Sequence, residues 1–353
     1  MTLRHGPARA RACAFAAAGL AVTMLLSIPA RAEDATSAEW DKVVAAAKKE
    51  GTLVFYNGSS VNEPRAVTKR FEEKYGIRVA TVEGTVSAIR ERVRSEIASG
   101  RTLGDVHLSG ITTGAQLRAA GFYMPHGGLP NMAKLKRQFV PEAGRPYFAT
   151  VRIGRFAILV NSDQVKPADE PKSWLDLLDP KWKGKMLSGD PRTGGSAQVS
   201  YTVFYDKWGR EYLDKLAKQD LTFASNTQIM ERRVAQGEFP IDTTMAVSDI
   251  PTLHGLPVKA ITPKEGSTYV ITVAAMLKGA PHPNAARLFL NFYMSDEAQN
   301  EVSRFGADSP TGVVSPQMPA YMKPLIDQPL FGTADPFKLD DMVKLFEQVW
   351  GKR

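Results

Sequence analysis

Cysteine is almost absent: Cys13 is the only one among 353 residues. One thiol supplies neither an intrachain disulfide nor a cysteine-built metal centre. It also lies inside an apolar N-terminal run that reads as a leader, so it is no candidate nucleophile. Beyond residue 32 there is no second long apolar run, and no spanning helix is expected there. Catalytic spacings are missing as well. There is no Gly-x-Ser-x-Gly elbow, no Ser-x-x-Lys with its companion motifs and no Walker-type loop. His107, His126, His254 and His282 are scattered, with none of the spacings of a zinc helix. Lacking a nucleophile–base pair or a metal cluster, the chain offers no catalytic mechanism, and no enzyme is expected. Nor is there a basic stripe with interleaved aromatics, which argues against nucleic acid as a partner.

The length exceeds the usual single core, so two domains are the starting expectation. Arg4, Arg9 and Arg11 precede an apolar run from Ala12 to Ile28, and Ala30-Arg31-Ala32 follows in a small-x-small pattern. Residues 1–32 therefore read as a signal peptide cleaved near Ala32, and the mature chain as exported. Removing its four arginines lowers the formal charge from +8 to +4. That mild positive balance favours anionic partners only weakly.

Strand and helix patterns alternate along the rest. Trp40, Val43, Val44 and Ala47 have helical spacing, and Thr52–Tyr56 is a short β-rich run. Val67, Phe71 and Tyr75 mark a second helix, 77–82 a strand, and Val86, Ile89, Val93 and Ile97 a third apolar stripe. The strand 105–108 and helix 114–120 complete a βαβαβ rhythm, which predicts a mostly parallel sheet flanked by helices. A second unit starts with the apolar strand 156–160. Further elements are predicted at 174–178, 185–188, 196–208, 211–218, 228–236, 268–277, 284–294, 296–304 and 340–350. The proline-rich stretch 310–337 is expected to wrap the surface.

Several segments resemble the extracellular solute-binding proteins of ABC importers, in the branch that includes the iron(III)-binding proteins. They are Leu53-Val-Phe-Tyr-Asn-Gly-Ser59 with Phe71–Ile77, Gly104-Asp-Val-His-Leu-Ser109, Trp174-Leu-Asp-Leu-Leu-Asp-Pro-Lys-Trp-Lys-Gly-Lys185, and Lys278-Gly-Ala-Pro-His-Pro through Tyr293. The resemblance implies a two-lobed α/β periplasmic binding protein (type II). Residues 33–150 plus 278–353 would form the first lobe and 155–272 the second, with hinge strands near 151–160 and 268–277. It further implies a periplasmic location, a membrane permease as partner, no cofactor and a monomer.

Candidate ligand residues follow strand ends. Ser59 and Ser60 follow the first strand; their alternative role is a helix cap. Thr112 lies in the second such loop. Asp190-Pro-Arg-Thr-Gly-Gly-Ser196 resembles the family's Pro-Arg-Thr-Ser-Gly loop. Gly195 lets backbone approach a ligand, Thr193 and Ser196 add hydroxyls at a helix start, and Arg192 offers a bidentate clamp or a hinge salt bridge. Arg155 and Tyr269 flank the two crossings. Asp242 is placed for an amine or a turn. In the iron-binding members a tyrosine pair, a histidine and a glutamate hold the metal. The matching positions are Val247, Ser248, Ser60 and Gly110, and no Tyr-Tyr occurs anywhere. Ferric iron needs hard anionic oxygen donors, so direct iron binding by that set is not expected. The reading is a binder of a small organic anion bearing phosphate, phosphonate or carboxylate. Alternatives are iron or an iron chelate, a polyamine or thiamine-like cation, and a periplasmic enzyme.

Overall fold

A computed structural model describes residues 37–58, 62–140, 144–224 and 226–352. The expected leader, residues 1–32, lies outside them. In chain order the first elements are α1 (Ser37–Glu50), β1 (Thr52–Asn57), α2 (Glu63–Tyr75), β2 (Arg78–Glu83), α3 (Val86–Ala98), β3 (Val106–Gly110), α4 (Ile111–Ala119) and β4 (Tyr123–Met124). The long strand β5 (Phe148–Asn161) leads to β6 (Met186–Gly189), α5 (Gly195–Ala217), β7 (Thr222–Ala224), α6 (Thr227–Ala235), β8 (Ile241–Ala246), α7 (Ile250–Leu253) and β9 (Val258–Ile261). The long strand β10 (Ser267–Leu277) then leads to α8 (Pro283–Tyr293), α9 (Asp296–Arg304), α10 (Lys323–Ile326), β11 (Leu330–Gly332) and α11 (Leu339–Trp350).

The strands form one curled mixed sheet in the order β2-β1-β3-β10-β5-β8-β6-β7, with β4 and β11 on β10 and β9 on β5. Pairing is parallel at the two flanks, β2-β1-β3 and β8-β6-β7. It is antiparallel at the centre, where β10 meets β3 and β5, and β5 meets β8. Both flanks show the parallel pattern expected. The centre departs from it because two long strands run in opposite senses between the halves.

Separate apolar clusters lie at the two ends of those strands. One gathers Phe55, Phe71, Leu108, Met276, Phe289 and Phe292. Another gathers Ile158, Trp174, Tyr201, Phe204, Leu213 and Ile241. The strongly apolar face of α8 explains its place: Ala285, Leu288, Phe289 and Phe292 are buried together.

The long sequence motifs act as staples. Buried Asp105 accepts the Val54 N–H at 2.7 Å and the His282 N–H at 2.7 Å, joining two motif segments far apart in sequence. At Gly104 a Cβ would meet the Tyr56 ring at 2.6 Å, so only glycine fits. Trp174 is fully buried and donates its indole N–H to the Gly266 carbonyl at 2.9 Å.

The tail differs from the expectation that 278–353 stays with the first half. Residues 283–307 do pack there. Met322, however, is buried against Leu187, Met230 and Met245 of the second half. Met342 and Phe346 of α11 join Tyr201 and Phe204. The reason is amphipathicity: Leu339, Met342 and Phe346 form one apolar stripe that α5 covers.

Candidate functional site

A cavity of about 500 Å³ opens where the halves face each other. From the first half it takes Ser87 and Arg90 of α3, and Gly110, Thr112, Thr113 and Gln116 at the start of α4. The second half supplies the 192–199 segment. Phe156 and Val270, from the two long strands, form an apolar floor, and Leu339, Asp340 and Val343 of α11 close one wall.

Two helices begin at this cavity without a side-chain cap. Gly110 precedes α4 and Gly194 precedes α5, and neither position offers a capping side chain. The first N–H groups of a helix have no intrahelical acceptor. Here they are available to a ligand, and the helix dipoles favour an anion beside them. The turn before α5 needs its glycines. Gly194 has φ 107° and ψ −164°, and Gly195 has φ 78°, both unfavourable for residues carrying a Cβ. The Ser196 hydroxyl faces Thr244 at 3.4 Å.

The structure brings Thr112, Arg192, Thr193, Gly195 and Ser196 together on this one cavity. Arg192 is already engaged. Its Nε and one terminal nitrogen donate to the two Asp190 carboxylate oxygens at 2.8 and 2.9 Å. The other terminal nitrogen donates to the Trp350 and Gly351 carbonyls at 3.2 and 2.8 Å. The Thr193 hydroxyl donates to the Asp190 carbonyl at 2.9 Å. Ser59 and Ser60 fall outside the described residues.

Other sequence candidates lie elsewhere. Arg155 is buried, donates to Asp308 at 2.7 Å and to the Gln328 carbonyl at 2.6 Å, and does not line the cavity. Tyr269 is half-buried and packs edge-on against Phe139. Asp242 is fully buried on β8 and accepts the Thr244 N–H at 3.0 Å. Burial pushes its carboxyl up to about 7. Glu231 is pushed up to about 9 by burial, then by the charges of Asp249 and Asp242. Ser248 lines a separate cavity of about 150 Å³ with Asn62, Glu63, Arg152 and Asp249. There Arg152 donates to Glu63 at 3.1 Å, and Tyr293 donates to the same carboxylate at 2.6 Å. Burial raises Glu63, with Arg152 and Tyr293 opposing. Val247, at the first of the two tyrosine-pair positions, is buried in the core. Among the described residues, no three His, Cys, Asp or Glu side chains are placed to hold a metal ion.

Arg90 was not singled out from sequence. It follows Ile89 on α3, and nothing in a local pattern marks a charged flank as a cavity wall. Its Nε is buried, makes no hydrogen bond among the described residues, and lies 3.6 Å from Glu91. It is therefore the cavity's less committed guanidinium. Val86, assigned to the apolar stripe, is 47% exposed at the cavity mouth.

The profile of a family described as bacterial extracellular solute-binding protein matches residues 111–329. A putative 2-aminoethylphosphonate-binding periplasmic protein of Salmonella typhimurium is 26% identical over 251 residues, covering 68% of this chain and 71% of that protein. Among solved structures, an ABC-transporter substrate-binding protein from Agrobacterium tumefaciens superposes with TM-score 0.70 at 15% identity, covering 85% of this chain and 94% of its own. A Trichodesmium protein (IdiA, FutA) in complex with iron and citrate superposes with TM-score 0.68 at 20% identity, covering 86% of this chain and all of its own.

Proposed function

This chain belongs to the bacterial extracellular solute-binding protein family, and from that premise we propose that it captures a small organic anion in the interlobe cleft for the permease of an ABC importer. The observation that carries the reading is the pair of uncapped helix starts, α4 and α5, facing one cavity from opposite halves. Their N–H groups, Ser196, Thr112, Thr113 and the Arg90 guanidinium supply donors and positive charge, while Phe156, Val199, Val270 and Val343 receive an apolar body. Such a mixture suits a phosphonate, phosphate ester or carboxylate better than a bare inorganic ion. Ligand bridging both halves stabilises a closed form through the crossings β5 and β10. In this reading the protein acts in the periplasm as a monomer, after removal of residues 1–32, and catalyses nothing.

A cationic solute is the second reading. It rests on Asp249 and Glu63 lining the smaller cavity with Ser248, where Arg152 partly offsets their charge.

A thermal-shift panel of alkylphosphonates, phosphate esters, carboxylates, polyamines, thiamine, ferric ion and ferric citrate tests both. A ligand at about a hundred times its dissociation constant adds about 2.7 kcal/mol of stability. An organic anion is expected to raise the melting temperature. A response confined to ferric ion, ferric citrate or cations would overturn the anion reading.

A further inference from the structure

Helix α11 lies beyond residues 111–329, where the chain matches the family, and its last turn meets the turn that opens α5. The final carbonyls of a helix have no intrahelical donor, and the negative end of the helix dipole lies beside them. Here Arg192 supplies both donor and charge. One terminal nitrogen donates to the Trp350 and Gly351 carbonyls at 3.2 and 2.8 Å, while Nε and the other terminal nitrogen hold the two Asp190 oxygens. Four of its five guanidinium N–H groups are thereby committed. The Arg192 backbone N–H also donates to Asp190, at 3.0 Å, so this pair braces the turn from within. Around it Trp350 stacks on Tyr201 of α5, with 5.6 Å between ring centres, and both Trp350 and the guanidinium lie against Phe223. The Arg192 and Asp190 side chains are only 12% and 8% exposed, so salt and solvent screen their charges little.

An arginine so occupied has little left to give a ligand. Asp190 without it would set a weakly screened negative charge at the base of a turn whose N–H groups face an anion. We infer that Arg192 is a positioning residue: it neutralises Asp190 and ties the 193–196 turn to the end of α11, without itself binding the solute. The first N–H groups of α5 are then held in place before a ligand arrives, which removes an ordering cost from binding. The inference rests on the anion reading of this cavity. It gives Arg192 a supporting role instead of a clamp, and it makes the last turn of α11 part of the site's framework.

Isothermal titration with ethylphosphonate reads the site, and hydrogen exchange over residues 346–350 of the free protein reads the tie to α11. Arg192→Lys keeps the charge and loses the planar fork. It is expected to weaken ethylphosphonate by about tenfold, the scale of a charged hydrogen bond, and to speed exchange over 346–350. Asp190→Asn is expected to weaken ethylphosphonate by about fivefold, although it makes the site more positive. The double variant should bind no more weakly than Arg192→Lys alone, because the two side chains act through one another. Unchanged or tighter binding by Asp190→Asn would mean that a freed guanidinium meets the anion, and would overturn the positioning role. Unchanged affinity in Arg192→Lys with only a lowered melting temperature would overturn it too. Should the wild type not bind ethylphosphonate, the titrations use the panel anion that most raises the melting temperature. If no anion binds, the anion reading is overturned, and unchanged exchange in Arg192→Lys separately overturns the tie to α11.

Discussion

Asp242 is fully buried on β8, and burial holds its carboxyl at about 7 rather than the ordinary 3.8. The folded chain therefore binds this proton more tightly than the unfolded chain. Below the unfolded value both states are protonated and the group costs nothing. As the pH rises from about 4 through about 7, the unfolded state ionises freely while the folded state must hold a desolvated charge, so stability falls. Roughly three pH units at 1.36 kcal/mol each give about 4 kcal/mol, complete above the folded value. Glu231, raised to about 9, extends the decline in the same direction. Asp242→Asn keeps an oxygen to accept the Thr244 N–H and removes the charge. Urea unfolding is expected to show the variant gaining on the wild type by up to about 4 kcal/mol near pH 8 and by little near pH 4. Asp242 does not line the anion cavity, so solute affinity should stay within about twofold of the wild type. A stability difference independent of pH would refute the desolvation argument. A tenfold loss of affinity would return Asp242 to the binding site.

Arg90→Gln removes the less committed guanidinium and is expected to weaken an alkylphosphonate by about tenfold in calorimetry, with the melting temperature of the free protein unchanged. Gly194→Ala meets no neighbour closer than 3.9 Å, so its effect is backbone strain at φ 107°. A loss of about 1–3 kcal/mol, shared between stability and anion affinity, is expected from denaturation and titration. Phe346→Ala empties a fully buried position between α11 and α5. It should cost about 3–5 kcal/mol in urea unfolding.

Local patterns predicted the helices well. Leu288, Phe289 and Phe292 identify α8, and the stripe of α11 is visible at Leu339, Met342 and Phe346. What that stripe packs against depends on α5, more than a hundred residues away, and so was not legible. The local apolar pattern starts β5 only at Phe156 and the family resemblance puts the crossing near 151–160, whereas the strand begins at Phe148. Arg152, Gly154 and Arg155 interrupt its apolar run because they sit at the crossing, where Glu63 and Asp308 pair with the arginines. The same local logic placed the 190–196 turn correctly as a loop before a helix, but could not tell that Arg192 holds Asp190 and the end of α11. Arg90 left no sequence signal, since its role exists only when α3 meets the second half across the cleft.

The start of α5 is where a bound anion is expected to sit. A crystal structure of the protein with an alkylphosphonate should place the phosphonate oxygens within hydrogen-bonding distance of the first N–H groups of α5, with α4 facing them across the cleft. A phosphonate held instead against Ser248 and Asp249, with residues 193–196 contacting only solvent, would contradict it.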